Sequence, residues 1–399
     1  MSKVTIERAH RMDGTGEYYF SRRLREIAEI EAATGRQIIK LAMGSPDLPP
    51  APAVIERLYQ EAQRPDVHKY MSFKGEPILR KAFADWYAGW YGVQLDPSKE
   101  IQPLVGSKEA ILLISLAFLD KGDKVLVPDP GYPTYSSASK LVEAEIVTYD
   151  LKAENGWQPD FEALENMDLS GVKIMWTNYP GMPTGAPATE ELYAKLVDFG
   201  KRHGIMICND NPYSFILNDN PLSILAQPGA KECCVELNSL SKAHNMAGWR
   251  IGMVAAEADV IEQILKVKSQ MDSGMFKPLQ LAAVKALEQG SGWFTELNDE
   301  YRRRRVLAGA IFDMLGVEYD HSSAGMFLWG KVPQDVQATE EISIGQVLSD
   351  RILYDAGVFI TPGFIFGKNG EDYIRISLCA KPETLREAAE RIRQAGINR

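Results

Sequence analysis

Short apolar runs at 124–127, 145–149, 172–177, 205–209 and 233–237 alternate with helix-length amphipathic stretches such as 53–62, 76–90, 108–119 and 190–202. This alternation constrains the fold more than any other feature of the chain. Antiparallel strands close through tight turns, whereas parallel neighbours need a crossover of roughly a dozen residues or more, usually a helix. The pattern predicts an α/β architecture in which a mainly parallel sheet is covered by helices on both faces. Ligands of such sheets gather beyond the carboxyl ends of the strands. The loops that follow the apolar runs are therefore where chemistry is expected.

Beyond residue 280 the rhythm changes. A long helical region to 314 leads to "AGMFLWGKV", a helix at 346–355, the strands "GVFITPG" and "YIRISLC", and a last helix at 382–395, which reads as a smaller α+β domain. Ahead of residue 51, a helical stretch ending at Gly35 has no place in the parallel sheet and is expected to pack with the small domain and its last helix. The predicted division is an arm and helix at 1–50, a large domain at 51–285 and a small domain at 286–399. A chain of 399 residues, 45% of them hydrophobic, can bury cores of that size.

A formal charge of −10 repels phosphate backbones and anionic lipid, which argues against nucleic-acid and membrane partners. The basic run at 302–305 lies on an amphipathic helical pattern, and its arginines are read as solvated or salt-bridged. The histidines are scattered without an HExxH pair, so no metal site is expected. Cys208, Cys233 and Cys234 fall in strand-like runs and Cys379 follows another; all are read as reduced core thiols, with the adjacent pair on opposite faces of its strand. The start, "MSKVTIERAHRMDGTGEYYF", lacks an apolar signal core, and no stretch nears the ~20 apolar residues of a membrane span, so a cytoplasmic chain is expected. "GFIFGKN" and "GTGEYY" fail the spacing of a P-loop and of a dinucleotide loop.

Unusual residues collect at the strand ends. "VGSKEAILL" places Gly106 and Ser107 at the opening of a helix, where free backbone N–H groups and a hydroxyl form an anion site. "PDPGYPTY" presents Tyr132 in a proline-stiffened turn, and "ICNDNPY" puts Asp210 at a strand end with Tyr213 three residues on. In "NSLSKAHNMAGWRIGM", Lys242 sits among hydroxyls with Arg250 opening the next apolar run, and a buried lysine is costly unless it serves a purpose. An anion cradle, a flat aromatic, an acceptor carboxylate, a phenol and a lysine together form a kit suited to pyridoxal 5′-phosphate.

Taken in order, "KYMSFKGEPILRKAFADWY", "GSKEAI", "DPGYPTY", "NYPGMPTG", "DNPY", "SLSKAHNMAGWRIG" and "YIRIS" resemble the class I/II pyridoxal-phosphate aminotransferases of fold type I, from about Tyr18 to the last helix. The resemblance implies a large domain with a mainly parallel, seven-stranded sheet between helices, a smaller α+β domain, and a homodimer with its active sites at the subunit interface. It implies a ping-pong transfer of an amino group from an L-amino acid to a 2-oxo acid, with Lys242 forming the internal aldimine and shuttling the proton. Asp210 would pair with the ring nitrogen, Tyr213 would donate to the ring hydroxyl and Tyr132 would stack on the ring. Gly106, Ser107, Lys108 through its N–H, Ser239, Ser241 and Arg250 would hold the phosphate, joined by Tyr70 of the other subunit. Arg375, with Gly44 and Tyr132 alongside, would take the substrate carboxylate.

One position departs from the family. The asparagine usual before Pro-Thr-Gly is replaced, so that Gly181 and Met182 precede Pro183, and Asn178 or a water is left to support the ring hydroxyl beside Tyr213. The internal aldimine is accordingly expected to keep its proton to higher pH than is usual for the family, and Met182→Asn to lower that pKa in a spectrophotometric titration. A β- or γ-eliminating lyase or a synthase acting on a sulfonium amino acid shares this kit. A pyridoxal-phosphate-binding regulator is disfavoured because the segment before residue 51 shows no helix-turn-helix pattern. No second cation for an acidic side chain is assignable, and Phe20, Phe276, Phe364 and the methionines favour a neutral, apolar or sulfur-containing amino acid.

Overall fold

The computed structural model describes residues 6–397 apart from 15, 337, 339 and 340. Its central sheet has seven strands in the order Ile101–Leu104, Gly252–Ala255, Cys234–Ser239, Met206–Asp210, Val172–Thr177, Lys124–Asp129 and Glu145–Asp150. All run parallel except Gly252–Ala255, which is antiparallel to both neighbours. Side chains alternate between two cores: Met175, Ile207 and Cys234 enter one, and Trp176, Cys208 and Val235 the other. Burial on both faces is why these strands read as unbroken apolar runs. The edge strand Ile101–Leu104 carries no such signature, because Gln102 and Pro103 interrupt it, and proline is tolerated only where a ladder hydrogen bond is not needed.

A second sheet pairs Thr361–Pro362, Tyr373–Ser377, Phe327–Lys331 and Glu318–Tyr319 in that order, all antiparallel. The helical region expected from 280 to 314 is two helices, Lys277–Leu287 and Ser291–Leu315, parted at Gly290. The first packs on Pro52–Ala62 and Pro77–Tyr91, and the second on the final helix, Pro382–Gln394. The segment expected as one helix at 346–355 is an α-helix, Ile344–Arg351, that widens into a π-helical turn, Ile352–Ala356. The Tyr19–Thr34 helix stops at Gly35, whose φ of 69° lies in the left-handed region that glycine accepts without strain. Arg23, almost fully buried, ties this helix to Asp350 and Tyr354, while the following strand Ile39–Lys40 pairs in parallel with Val358–Phe359. Among the described residues no helix is long and apolar enough to cross a membrane.

One sequence expectation needs correction. Cys233 lies just before its strand with φ −145° and ψ 0°, so its sulfur swings to 3.7 Å from that of Cys234 instead of facing away. Arg302 and Arg303 are exposed, but the Arg304 side chain is only 1% exposed, held by Asp47 at 2.6 Å, Glu300 at 2.8 Å and the Leu378 carbonyl at 3.2 Å. Arg304 thereby pins the loop after Gly44 to the helix Ser291–Leu315. Replacement of Arg304 by Leu leaves Asp47 uncompensated and Glu300 with Arg303 alone, and is expected to cost about 3 kcal/mol. Arg303→Leu, at an exposed position, is expected to cost no more than about 0.5 kcal/mol. Urea midpoints of the two variants check the contrast.

Candidate active site

Strands of the central sheet deliver side chains to one rim because their ladder aligns Asp210 with Leu237, next to Ser239. Beyond that rim lies a cavity of about 280 Å³. The strand Cys234–Ser239 passes directly into a one-turn helix, Leu240–Ala243, capped by Ser239, whose hydroxyl oxygen accepts from the Ser241 N–H at 3.0 Å. That turn aims Lys242 into the cavity, with Nζ 2.5 Å from the Gly44 carbonyl oxygen and 6.0 Å from the centre of the Tyr213 ring. Burial lowers the lysine pKa, and Arg375 and Arg250 push the same way against Cys379 and Asp210. The shift runs in the direction that nucleophilic and proton-transfer chemistry requires of an amine.

Asp210 is 6% exposed. Its Oδ2 accepts from the Tyr135 hydroxyl at 3.0 Å, whereas its buried Oδ1 has no partner among the described residues. Burial pushes the carboxyl up to about 7. An orphaned carboxylate oxygen at a strand end calls for a cationic N–H, since a buried acceptor left unsatisfied costs about 1–3 kcal/mol or more. Tyr135, which the sequence reading did not single out, is fixed by stacking on Trp176 at 5.0 Å and 4°. Its only signal is its place three residues after Tyr132, in the first turn of the helix Pro133–Leu141.

One end of the cavity is built for an anion. The helix Ser107–Phe118 opens there, and Ser107, Ser239, Ser241 and Arg250 line it. Ser239 and Ser241 hydroxyls lie 2.7 Å apart, and Arg250 Nη1 is 3.4 Å from the latter. Gly106 does not line the cavity but makes this closeness possible, because a Cβ on it would lie 2.1 Å from Arg250 Nη2. Helix N–H groups and a guanidinium together suit a phosphate.

Arg375 occupies the other end. It is 4% exposed, donates from Nη2 to the Ala42 carbonyl at 3.0 Å, and lies 3.9 Å and 4.7 Å from the ring centres of Phe327 and Phe366. Nη1 meets the Met182 sulfur at 3.1 Å, and buried Nε has no partner among the described residues. Burial lowers its pKa to about 10, and among the described residues no carboxylate pairs with it. A buried cation without a counter-ion is a site for an incoming anion.

Tyr132, Tyr213, Lys108, Asn178 and Gly44 also line the cavity, so all but two of the residues expected from the sequence meet there. Gly106 stands behind the wall. Tyr70 is 88% exposed and lies away from the cavity, beside Phe276 in a shallow groove. Asn178 lines the cavity with its Nδ2 donating one N–H to the Asp210 carbonyl and its Oδ1 accepting from the Met182 N–H, which leaves the second Nδ2 hydrogen for the role of the missing asparagine. Tyr18 and Phe20 of the arm line the mouth, whereas Phe364 and Phe276 do not. The anion cradle, the amine, the orphaned Asp210 oxygen and Tyr132 fit pyridoxal 5′-phosphate as a ligand.

Comparison with known proteins gives the same answer. The family described as aminotransferase class I and II matches residues 36–392. An LL-diaminopimelate aminotransferase of Dehalococcoides mccartyi is 38% identical over 384 residues, 96% of this chain and 97% of its own. One of Aquifex aeolicus is 40% identical over 361 residues, covering 90% and 92%. Among solved structures, apo-BacF of Bacillus subtilis superposes with a TM-score of 0.92 at 33% identity over 98% of both chains. A Thermus thermophilus aspartate aminotransferase mutant does so at 0.88 and 25% identity, covering 98% of this chain and 100% of its own. The chain belongs to the class I and II aminotransferases, fold type I enzymes that use pyridoxal 5′-phosphate.

Proposed function

We propose that this aminotransferase takes its amino group from a diamino dicarboxylic acid of the LL-diaminopimelate kind and passes it to a dicarboxylic 2-oxo acid in two half-reactions at one site. The observation that carries the reading is a second cation. Lys108 Nζ stands at the mouth, 5.2 Å from the ring centre of Tyr18 and 5.9 Å from that of Tyr132, with no carboxylate partner among the described residues. With Arg375 in the same cavity it offers the two carboxylates of a dicarboxylate two counter-charges, which favours an acidic substrate over the neutral one suggested by the aromatic loops. Two of the relatives above act on such a diamino acid by name.

When bound, the cofactor supplies an aldehyde for the amino group and a ring that accepts the electron pair left by the departing α-proton. Lys242 provides the amine that anchors it and then carries the proton at the substrate α-carbon. Asp210 would keep the ring nitrogen protonated, Tyr213 would donate to the ring hydroxyl and Tyr132 would cover the ring face. Ser107, the Lys108 N–H, Ser239, Ser241 and Arg250 hold the phosphate. Arg375 grips the α-carboxylate and orients the α-carbon toward Lys242. Tyr70, exposed with Phe276 44% exposed beside it, would reach the phosphate of a second subunit in a homodimer.

Incubation of the holoenzyme with LL-diaminopimelate and 2-oxoglutarate is expected to yield glutamate mole for mole, with parallel double-reciprocal plots. Release of ammonia without glutamate would show elimination in place of transfer, and turnover confined to neutral donors would overturn the substrate class. Lys108→Met is expected to raise KM for dicarboxylic substrates roughly tenfold, the worth of one charge-assisted hydrogen bond, and to leave KM for a neutral donor such as alanine within about twofold.

A further inference from the structure

The strand Lys124–Asp129 ends on a carboxylate that the proposed chemistry does not use. Asp129 Oδ2 accepts from the Lys368 N–H and Oδ1 from the Asn369 N–H, each at 3.0 Å. Asn369 Nδ2 donates in return to the Asp129 carbonyl at 3.0 Å and reaches Asp150 Oδ1 at 2.9 Å. Two residues on, the Gly131 N–H donates to the Phe366 carbonyl at 2.7 Å. Gly367, at φ 137°, admits the carboxylate only because it lacks a Cβ, which would lie 2.1 Å from Asp129 Oδ1.

The two turns joined here carry different walls of the cavity. Tyr132 follows Gly131 directly, and Phe366 precedes Gly367 and holds its ring 4.7 Å from the Arg375 guanidinium carbon. A carboxylate accepting two backbone N–H groups is a strong, directional tie. We propose that Asp129 is a positioning residue, whose clasp on the 366–369 turn sets Phe366 against Arg375 and so tunes affinity for the substrate carboxylate without touching the substrate. This rests on the reading of Arg375 as the carboxylate clamp. The clasp joins the end of a parallel strand to the turn before the strand Tyr373–Ser377, so it couples the cofactor wall to the substrate wall through one carboxylate and the backbone it holds.

Asp129→Asn turns one acceptor into an N–H₂ that faces a backbone donor, and Gly367→Ala breaks the same contact from the other side. Both holoenzymes are expected to bind maleate, a non-reacting dicarboxylate, about tenfold more weakly by calorimetry and to raise KM for both substrates about tenfold. Their kcat should fall less than about threefold with pyridoxal phosphate retained, Asp129→Asn should keep Tm near wild type while the backbone strain in Gly367→Ala lowers it, and Asp129→Glu should recover part of the affinity. Wild-type maleate affinity in both variants, while Arg375→Lys loses it, overturns the clasp and leaves the clamp standing. An affinity loss that only tracks loss of cofactor and of Tm also overturns it. Unchanged maleate affinity in Arg375→Lys overturns the reading of Arg375 and this role together.

Discussion

Lys242→Ala is expected to lower kcat by about 10⁴-fold, the upper range for removing a positioned proton carrier, with the nucleophilic role lost as well. Lys242→Arg is expected to be equally inactive. Arginine keeps the charge and much of the length, but its guanidinium does not give up a proton near neutral pH. The comparison separates a need for a cation from a need for an amine, because a purely electrostatic role would let Arg restore most of the rate. Burial and the flanking arginines already lower the Lys242 pKa, and Lys242→Arg removes the group on which that tuning acts. Single-turnover measurements of amino-donor consumption check the prediction without interference from product release.

Asp210→Asn has the second-largest expected effect. The change is isosteric and leaves the Tyr135 hydroxyl with an acceptor, but it removes the negative charge facing the ring nitrogen. Deleting one member of a buried charge pair costs about 3–5 kcal/mol, so kcat should fall by roughly 10²- to 10⁴-fold, measured at saturating cofactor. A stability signature accompanies it in the apoprotein. The Asp210 carboxyl is raised by burial from 3.8 to about 7, so the folded state is favoured while the group stays protonated. That contribution is complete below pH 4 and is lost as pH rises through about 7. Across this window the Tm of the apoprotein should fall relative to apo Asp210→Asn, and added cofactor, by supplying the missing cationic partner, should restore it. A Tm difference between the two apoproteins that is flat from pH 5 to pH 8 would contradict the account.

The parallel strands were legible because burial on both faces leaves them as apolar runs, and the residues at their ends were legible because Gly106, Asp210, Ser239 and Lys242 have no structural reason to cluster there. Features built by long-range contact were not. Asp129 and Asn369 meet across 240 positions, and nothing in either local stretch announces the pairing. Tyr135 reads as an ordinary helix residue until its hydroxyl is seen on Asp210. Arg304 is indistinguishable by type from exposed Arg302 and Arg303, and only the packing of its helix face against Asp47 sets it apart. Lys108 was expected for its N–H alone; the direction of its side chain, toward Tyr18 of an arm ninety positions earlier, could not be read from "GSKEAI".

The most direct test is to incubate the purified protein with pyridoxal 5′-phosphate, reduce it with sodium borohydride and map the modified peptide by mass spectrometry. The account predicts one stoichiometric phosphopyridoxyl group, on the peptide containing Lys242, and none in Lys242→Ala. A label on another lysine, or protein that takes up no cofactor, would contradict it.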